Sequence, residues 1–188
     1  GDTLVSAMSV LQFKLLGHFK VLRDDGGEIF ITSRKGRALL AYLAVCPGQR
    51  ETRHKLATLF WGERFDEQAR GSLRQCLSDL RKEFNEAELA PLLIEGDWVA
   101  LDSELISVDV LLLEALSDAT DLAALQTAID LYKGDFFEDF DLDDPGLSEW
   151  LHHTRERIRE LTSVCLLKLV QYQAADNAAE QALSTAQR

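Results

Sequence analysis

Hydrophobic residues alternate over the first part of the chain, with Leu11, Phe13, Leu15, Phe19 and Val21 at every second position of their runs. A period of two predicts strand, and Gly17 stands where a bend divides two strands. After the turn signal Asp24-Asp25-Gly26-Gly27, residues 28–32 predict a third short strand. The period then changes. Ser33 is placed to cap a helix from Arg34 to about Val45, with Leu39, Leu40 and Leu43 inward and Cys46-Pro47-Gly48 ending it. Thr52 caps a shorter helix whose Leu56, Leu59 and Phe60 face inward, stopped by Gly62. A third helix, capped by Asp66, runs to about Phe84 with Leu73, Leu77, Leu80 and Phe84 as its buried stripe. Residues 92–94, the turn Glu95-Gly96-Asp97 and residues 98–101 predict a hairpin.

From about residue 105 the strand signals vanish. Residues 108–116 predict a short helix, and Thr120 caps another that carries Leu122, Leu125, Ile129 and Tyr132 on one face and ends at Gly134. Phe136, Phe137 and Phe140 follow among six acids between Asp135 and Asp144, as a loop anchored by aromatics. Asp144-Pro145 starts a long amphipathic helix bearing Leu147, Trp150, Leu151, Ile158, Leu161, Cys165 and Leu169. Residues 174–177 predict a turn, and an alanine-rich helix begins at Ala178 with little to bury, so the chain reads as cut from something longer. Met8, the single methionine, reads as the native start, with residues 1–7 foreign to it. The fold class expected is α+β for residues 8–104 (small sheet, three helices, hairpin) followed by an all-α unit over 105–188.

Composition narrows the function classes. A 46% hydrophobic and 28% charged content in 188 residues excludes general disorder. No apolar run approaches the roughly 18–20 residues of a membrane span, and no secretory signal opens the chain. Cys46, Cys76 and Cys165 are far apart, which fits free thiols in a reducing cytoplasm. His18, His54, His152 and His153 have no zinc spacing, and neighbouring histidines on a helix diverge by about 100°. The run from Asp139 fails as a calcium loop, having Asp144 where glycine belongs and Trp150 where glutamate belongs. There is no catalytic motif, so neither an enzyme nor a cofactor is expected.

Charge is uneven. The chain carries −12, yet residues 34–82 hold eleven basic and five acidic residues, a net +6. Residues 83–104 have seven acids and no Lys or Arg, and residues 105–188 carry −10. One basic block inside an acidic protein marks a local anion-binding surface. The third helix lies in it. At about 100° per residue from Arg70, its leucines centre near about 310°. Opposite them lie Gly71, Gln75 and Lys82, with Ser78 and Asp79 at the margins, flanked by Arg70, Arg74 and Arg81. Glutamine can pair with adenine, aspartate can accept from cytosine, and arginines can hold phosphates. A solvated helix face has the same pattern, so the face alone leaves both readings open.

Several segments resemble the SARP-type (antibiotic regulatory protein) transcriptional activators: residues 15–22, Thr32 to Leu43, Leu59-Phe60-Trp61-Gly62, and Asp66 to Lys82. Val108-Asp109-Val110, residues 131–136 and residues 150–159 resemble the bacterial transcriptional activator domain of that family. The resemblance implies an OmpR-type winged helix over 8–104 and a tetratricopeptide-like helical domain, truncated here, over 105–188. It makes the third helix the recognition helix for double-stranded DNA, with Arg70, Gly71, Ser72, Arg74, Gln75, Ser78, Asp79, Arg81 and Lys82 as its contact set. It makes the hairpin around Gly96 the wing, and Trp61, Gly62, Glu63, Arg64 and Phe65 the contact with RNA polymerase. It further implies a bacterial, cytoplasmic, nucleoid-associated activator without a membrane anchor. The wing departs from the family in having no basic residue, and Asp79 stands where related helices frequently have arginine. Both weaken phosphate attraction, which points to modest affinity or a homodimer on tandem sites. Two rivals remain. One is a protein-binding adaptor that uses the same units without DNA; the other is a catalytic domain fused after Arg188.

Overall fold

The structure is a computed structural model that describes residues 10–141 and 144–187, so Met8 lies outside the described residues. Gly17, at φ +118°, lets the chain turn after β1 (Leu11–Lys14) toward β2 (Lys20–Leu22). The two strands pair antiparallel, with Phe13 opposite Val21. Residues 28–32 form no strand. Glu28 makes a single bridge to Leu22, and Ile29 N–H donates to the Val21 carbonyl. Ile29 and Ile31 are buried and Phe30 is exposed, so the alternation is real. The chain leaves the sheet there to enter the next helix.

Helix α1 (Arg34–Val45) is capped as expected, the Ser33 hydroxyl accepting from Gly36 N–H at 3.0 Å. A short 3-10 turn (Pro47–Gln49) and a strand that periodicity did not announce, β3 (Arg50–Thr52), precede α2 (Arg53–Trp61). The Thr52 side chain accepts from Lys55 N–H. Helix α3 (Asp66–Glu86) starts one residue earlier than expected: Phe65 is the cap residue, without a side-chain cap, and Asp66 is the first helical residue. Its carboxylate still faces the positive end of the helix dipole. Strands β4 (Leu92–Glu95) and β5 (Trp98–Leu101) form the expected hairpin around Gly96 (φ +58°), and β3 joins it to give the order β3-β5-β4.

Beyond residue 105 a strand does occur. β6 (Ile106–Val108) pairs parallel to β1, with Gln12 opposite Ser107, completing the sheet β2-β1-β6. Helix α4 (Asp109–Leu116) follows directly, and the Asp109 carboxylate accepts from Leu15 and Leu16 N–H at 2.9–3.0 Å. Burial raises the Asp109 pKa, opposed by these bonds and by one from Val110 N–H. Helix α5 (Leu122–Leu131) is capped by Asp121, not Thr120, and ends at Tyr132, ahead of Gly134. Phe136, Phe137 and Phe140 are buried, and Phe137 N–H donates to the Leu15 carbonyl across to the first sheet. The hydrophobic core is consequently continuous from Leu11 to Leu169.

Helix α6 (Pro145–Ala186) is a single helix of 42 residues, capped by Asp144. The expected turn at 174–177 is absent. Asp176 and Asn177 are weak helix formers, but the alanines around them and the lack of Gly or Pro carry the helix through. From Gln171 onward every described residue is exposed, and Val164, Leu167 and Val170 just before it are exposed as well. No helix among the described residues is long and apolar enough to cross a membrane.

Candidate nucleic-acid interface

The local sequence of α3 produces two faces. Ala69, Leu73, Cys76, Leu77, Leu80 and Phe84 are buried against the core. Close approach to α1 is set by Gly36, where a Cβ would stand 3.1 Å from Leu80 Cδ2. Burial, then Asp79 and Glu83, pushes the Cys76 thiol up to about 11, which keeps it protonated and unreactive. On the other side Arg70, Arg74, Gln75, Ser78, Arg81 and Lys82 are exposed. Gly71, Ser72 and Asp79 are only half-buried, at the margins of that face.

Hydrogen bonds refine this picture. Gln75 Nε2 donates to Asp79 Oδ1 at 2.9 Å, one turn along the helix. A bidentate pair with adenine requires Gln75 to release Asp79, exchanging one exposed hydrogen bond, which is a small cost. Ser72 accepts from Arg64 at 3.0 Å, so this serine fastens the α2–α3 loop to α3.

The cations of the basic block divide into two groups. Arg34 stacks on Phe140, Lys35 reaches the Phe60 carbonyl and the Trp61 ring, and Lys55 pairs with Glu51 at 3.1 Å. Those residues hold the fold. Among the described residues, the side chains of Arg37, Arg53, Arg70, Arg74, Arg81 and Lys82 make no hydrogen bond or ion pair. Four of these six lie on α3. A cation without a protein partner binds an anion without first breaking a contact.

The hairpin is less bare of cations than its own sequence implies. β3 places the Arg50 guanidinium over the Trp98 ring at 3.8 Å, and the Asp97 carbonyl accepts from Arg53 N–H at 2.7 Å. Both arginines come from residues some 45 positions before the hairpin, so its own composition does not reveal them.

The loop assigned to polymerase also divides. Trp61 is buried at 9% exposure, packed on Phe60, and offers no surface to a partner. Gly62 ends α2 where a Cβ would overlap the Thr58 carbonyl oxygen. Glu63 and Arg64 are exposed, and Phe65 stands outward at 82% exposure. The four histidines are all exposed. Among the described residues, no group of His, Cys, Asp and Glu could hold a metal ion.

No family model and no curated protein matches the sequence. A solved structure of Mycobacterium tuberculosis EmbR, in complex with a low-affinity phosphopeptide, matches with a TM-score of 0.71 at 19% identity. The match covers 94% of this chain and 49% of the EmbR chain, so the present chain spans about half that length. At this identity the likeness establishes the fold: the small sheets, the three helices with their hairpin and the helical part that follows are an EmbR-like arrangement.

Proposed function

We propose that this chain is a transcriptional regulator of the SARP type, which docks α3 in the major groove of duplex DNA and activates transcription by contacting RNA polymerase. The observation that carries the reading is the outer face of α3, where Arg70, Arg74, Arg81 and Lys82 have no protein partner and flank Gln75 and Ser78. Arginines and lysines of this kind set register on phosphates, while glutamine and serine read base edges. The SARP-like motifs and the EmbR-like fold support the same assignment. On this reading residues 8–104 act as an OmpR-type winged helix and residues 105–188 as a tetratricopeptide-like activator domain. Gly62, Glu63, Arg64 and Phe65 form the polymerase contact, with Phe65 as its aromatic anchor and Trp61 supporting it from the core. The acidity of residues 105–188 keeps that part off the phosphates. Two copies on tandem sites supply the affinity that the acidic wing withholds. The setting is the bacterial cytoplasm, with the protein on the nucleoid and no cofactor required.

One observation favours the adaptor reading. The exposed Phe65 stands beside α3, and exposed aromatics are frequent anchors of protein interfaces. Retention of sheared bacterial genomic fragments at moderate salt separates the two. A regulator enriches a small set with a shared sequence, and Gln75→Ala blurs that enrichment. An adaptor enriches none.

A further inference from the structure

A cavity of about 340 Å³ opens between α3 and the hairpin. Arg53, Arg74, Arg81 and Lys82 line it, over an apolar floor that includes Leu77 and Ile94. Ser78 and Asn85 complete the lining, so no carboxylate reaches the cavity although the chain has 32 acids. Four cations gathered without a counter-charge repel one another, and an anion entering among them relieves that repulsion. Arg53 gives the cavity its specificity. Its Nε is buried and has no hydrogen-bond partner. Its backbone is fixed by the Asp97 carbonyl and by its place as the first residue of α2, which sets where its side chain enters the crevice. A buried guanidinium donor without an acceptor is costly, and a phosphate oxygen is the acceptor that its planar fork fits best.

Arg74, Ser78, Arg81 and Lys82 belong both to this cavity and to the outer face of α3. An anion held here is therefore contiguous with whatever lies along that face. We infer that the crevice between α3 and the hairpin seats one backbone phosphate of the bound duplex, with Arg53 as its innermost ligand. The inference rests on the DNA-binding reading and goes beyond it. It makes the crevice, not the acidic hairpin tip, the second anchor of the protein on DNA, and it assigns the anchor to the first residue of α2, off the outer face of α3. A free phosphate or pyrophosphate would satisfy the same chemistry.

The test uses the 188-residue chain and its Arg53→Gln and Arg53→Lys variants, with thermal melting to show that each is folded. Binding is read by fluorescence anisotropy on an enriched duplex, alone and with single neutral methylphosphonate substitutions along each strand. Arg53→Gln is expected to lower affinity about tenfold for cognate and random DNA alike, to flatten the salt slope by about one unit, and to be partly rescued by Arg53→Lys. One methylphosphonate position should weaken the unaltered protein and leave Arg53→Gln unaffected. Two results of the duplex titrations overturn the inference while DNA binding stands. In one, Arg53→Gln binds like the unaltered protein while Arg74→Ala does not. In the other, the two substitutions, protein and phosphonate, are additive at every position. Inorganic pyrophosphate, titrated alone by calorimetry, separates the sources. Tight binding lost in Arg53→Gln, with DNA affinity unchanged, reassigns the crevice to a free ligand and overturns the inference. Absence of DNA binding by the unaltered protein removes the underlying reading with it.

Discussion

The arginines of α6 and those of α3 have opposite fates. Arg155 donates to the carbonyls of Phe136, Phe137 and Phe140, Arg157 pairs with Glu114, and Arg159 pairs with Asp135 and Glu156. Each is an internal fastener, and together they bind α6 to the aromatic loop and to α4. On α3, Arg70, Arg74 and Arg81 have no such partner among the described residues. Counting charges along the chain treats both groups alike. Their surroundings separate them: α6 faces carbonyls and carboxylates of a neighbouring segment, and α3 faces open solvent. Arginines already satisfied contribute to stability. Arginines left free remain available to an external anion.

The sharpest way to break this contrast is Arg155→Ala. It strips three buried or half-buried carbonyls of a charged donor and should destabilise the protein by about 2–4 kcal/mol, seen in urea or thermal unfolding, with DNA specificity unchanged. Gln75→Ala should leave melting unchanged and reduce discrimination between cognate and altered sites by about 1–3 kcal/mol, measured by competition on single-base variants. Arg74→Ala should also leave melting within about 0.5 kcal/mol of the unaltered chain, while flattening the salt slope of DNA binding by about one unit on every sequence. A large melting change in Arg74→Ala, or none in Arg155→Ala, would reverse the assignment of the two groups.

The smallest effect is on pH. Hydrogen bonding from Arg159 holds the Asp135 carboxyl at about 2, against the upward push of its partial burial. A depressed folded-state pKa gives stability that is present above the ordinary carboxylate value of about 3.9 and is lost as pH falls toward about 2. Asp109 has the opposite sign: its raised pKa gives a contribution that is present below that value and fades as pH rises through the folded-state pKa. Acid melting series should therefore show Asp135→Asn removing part of the loss of stability between about pH 4 and pH 2, and Asp109→Asn not doing so.

What the chain reveals on reading depends on whether the signal is local. The buried stripe of α3 and the Gly96 hairpin repeat within a few residues, and the structure has both. The caps at Ser33, Thr52 and Asp144 are equally local and are all used. β6 is three residues whose partner, β1, lies some 95 positions earlier, so nothing near it announces a strand. β3 likewise exists through pairing with β5, and that pairing brings Arg50 and Arg53 to the hairpin. The acidic, cation-free hairpin of the sequence is thus a local view of a surface assembled from distant residues. Residues 174–177 mislead in the other direction, because turn-forming side chains in an alanine-rich stretch are outvoted by helix propensity.

The central claim is that the free cations of α3 bind duplex DNA, and the salt dependence of affinity tests it most directly. Anisotropy titrations of the 188-residue chain on an enriched duplex, from low to moderate salt, should give a log–log slope of roughly −3 to −6 per monomer, at about 0.9 per phosphate contact. Affinity that does not change with salt, or no binding to any duplex at low salt, would contradict the account.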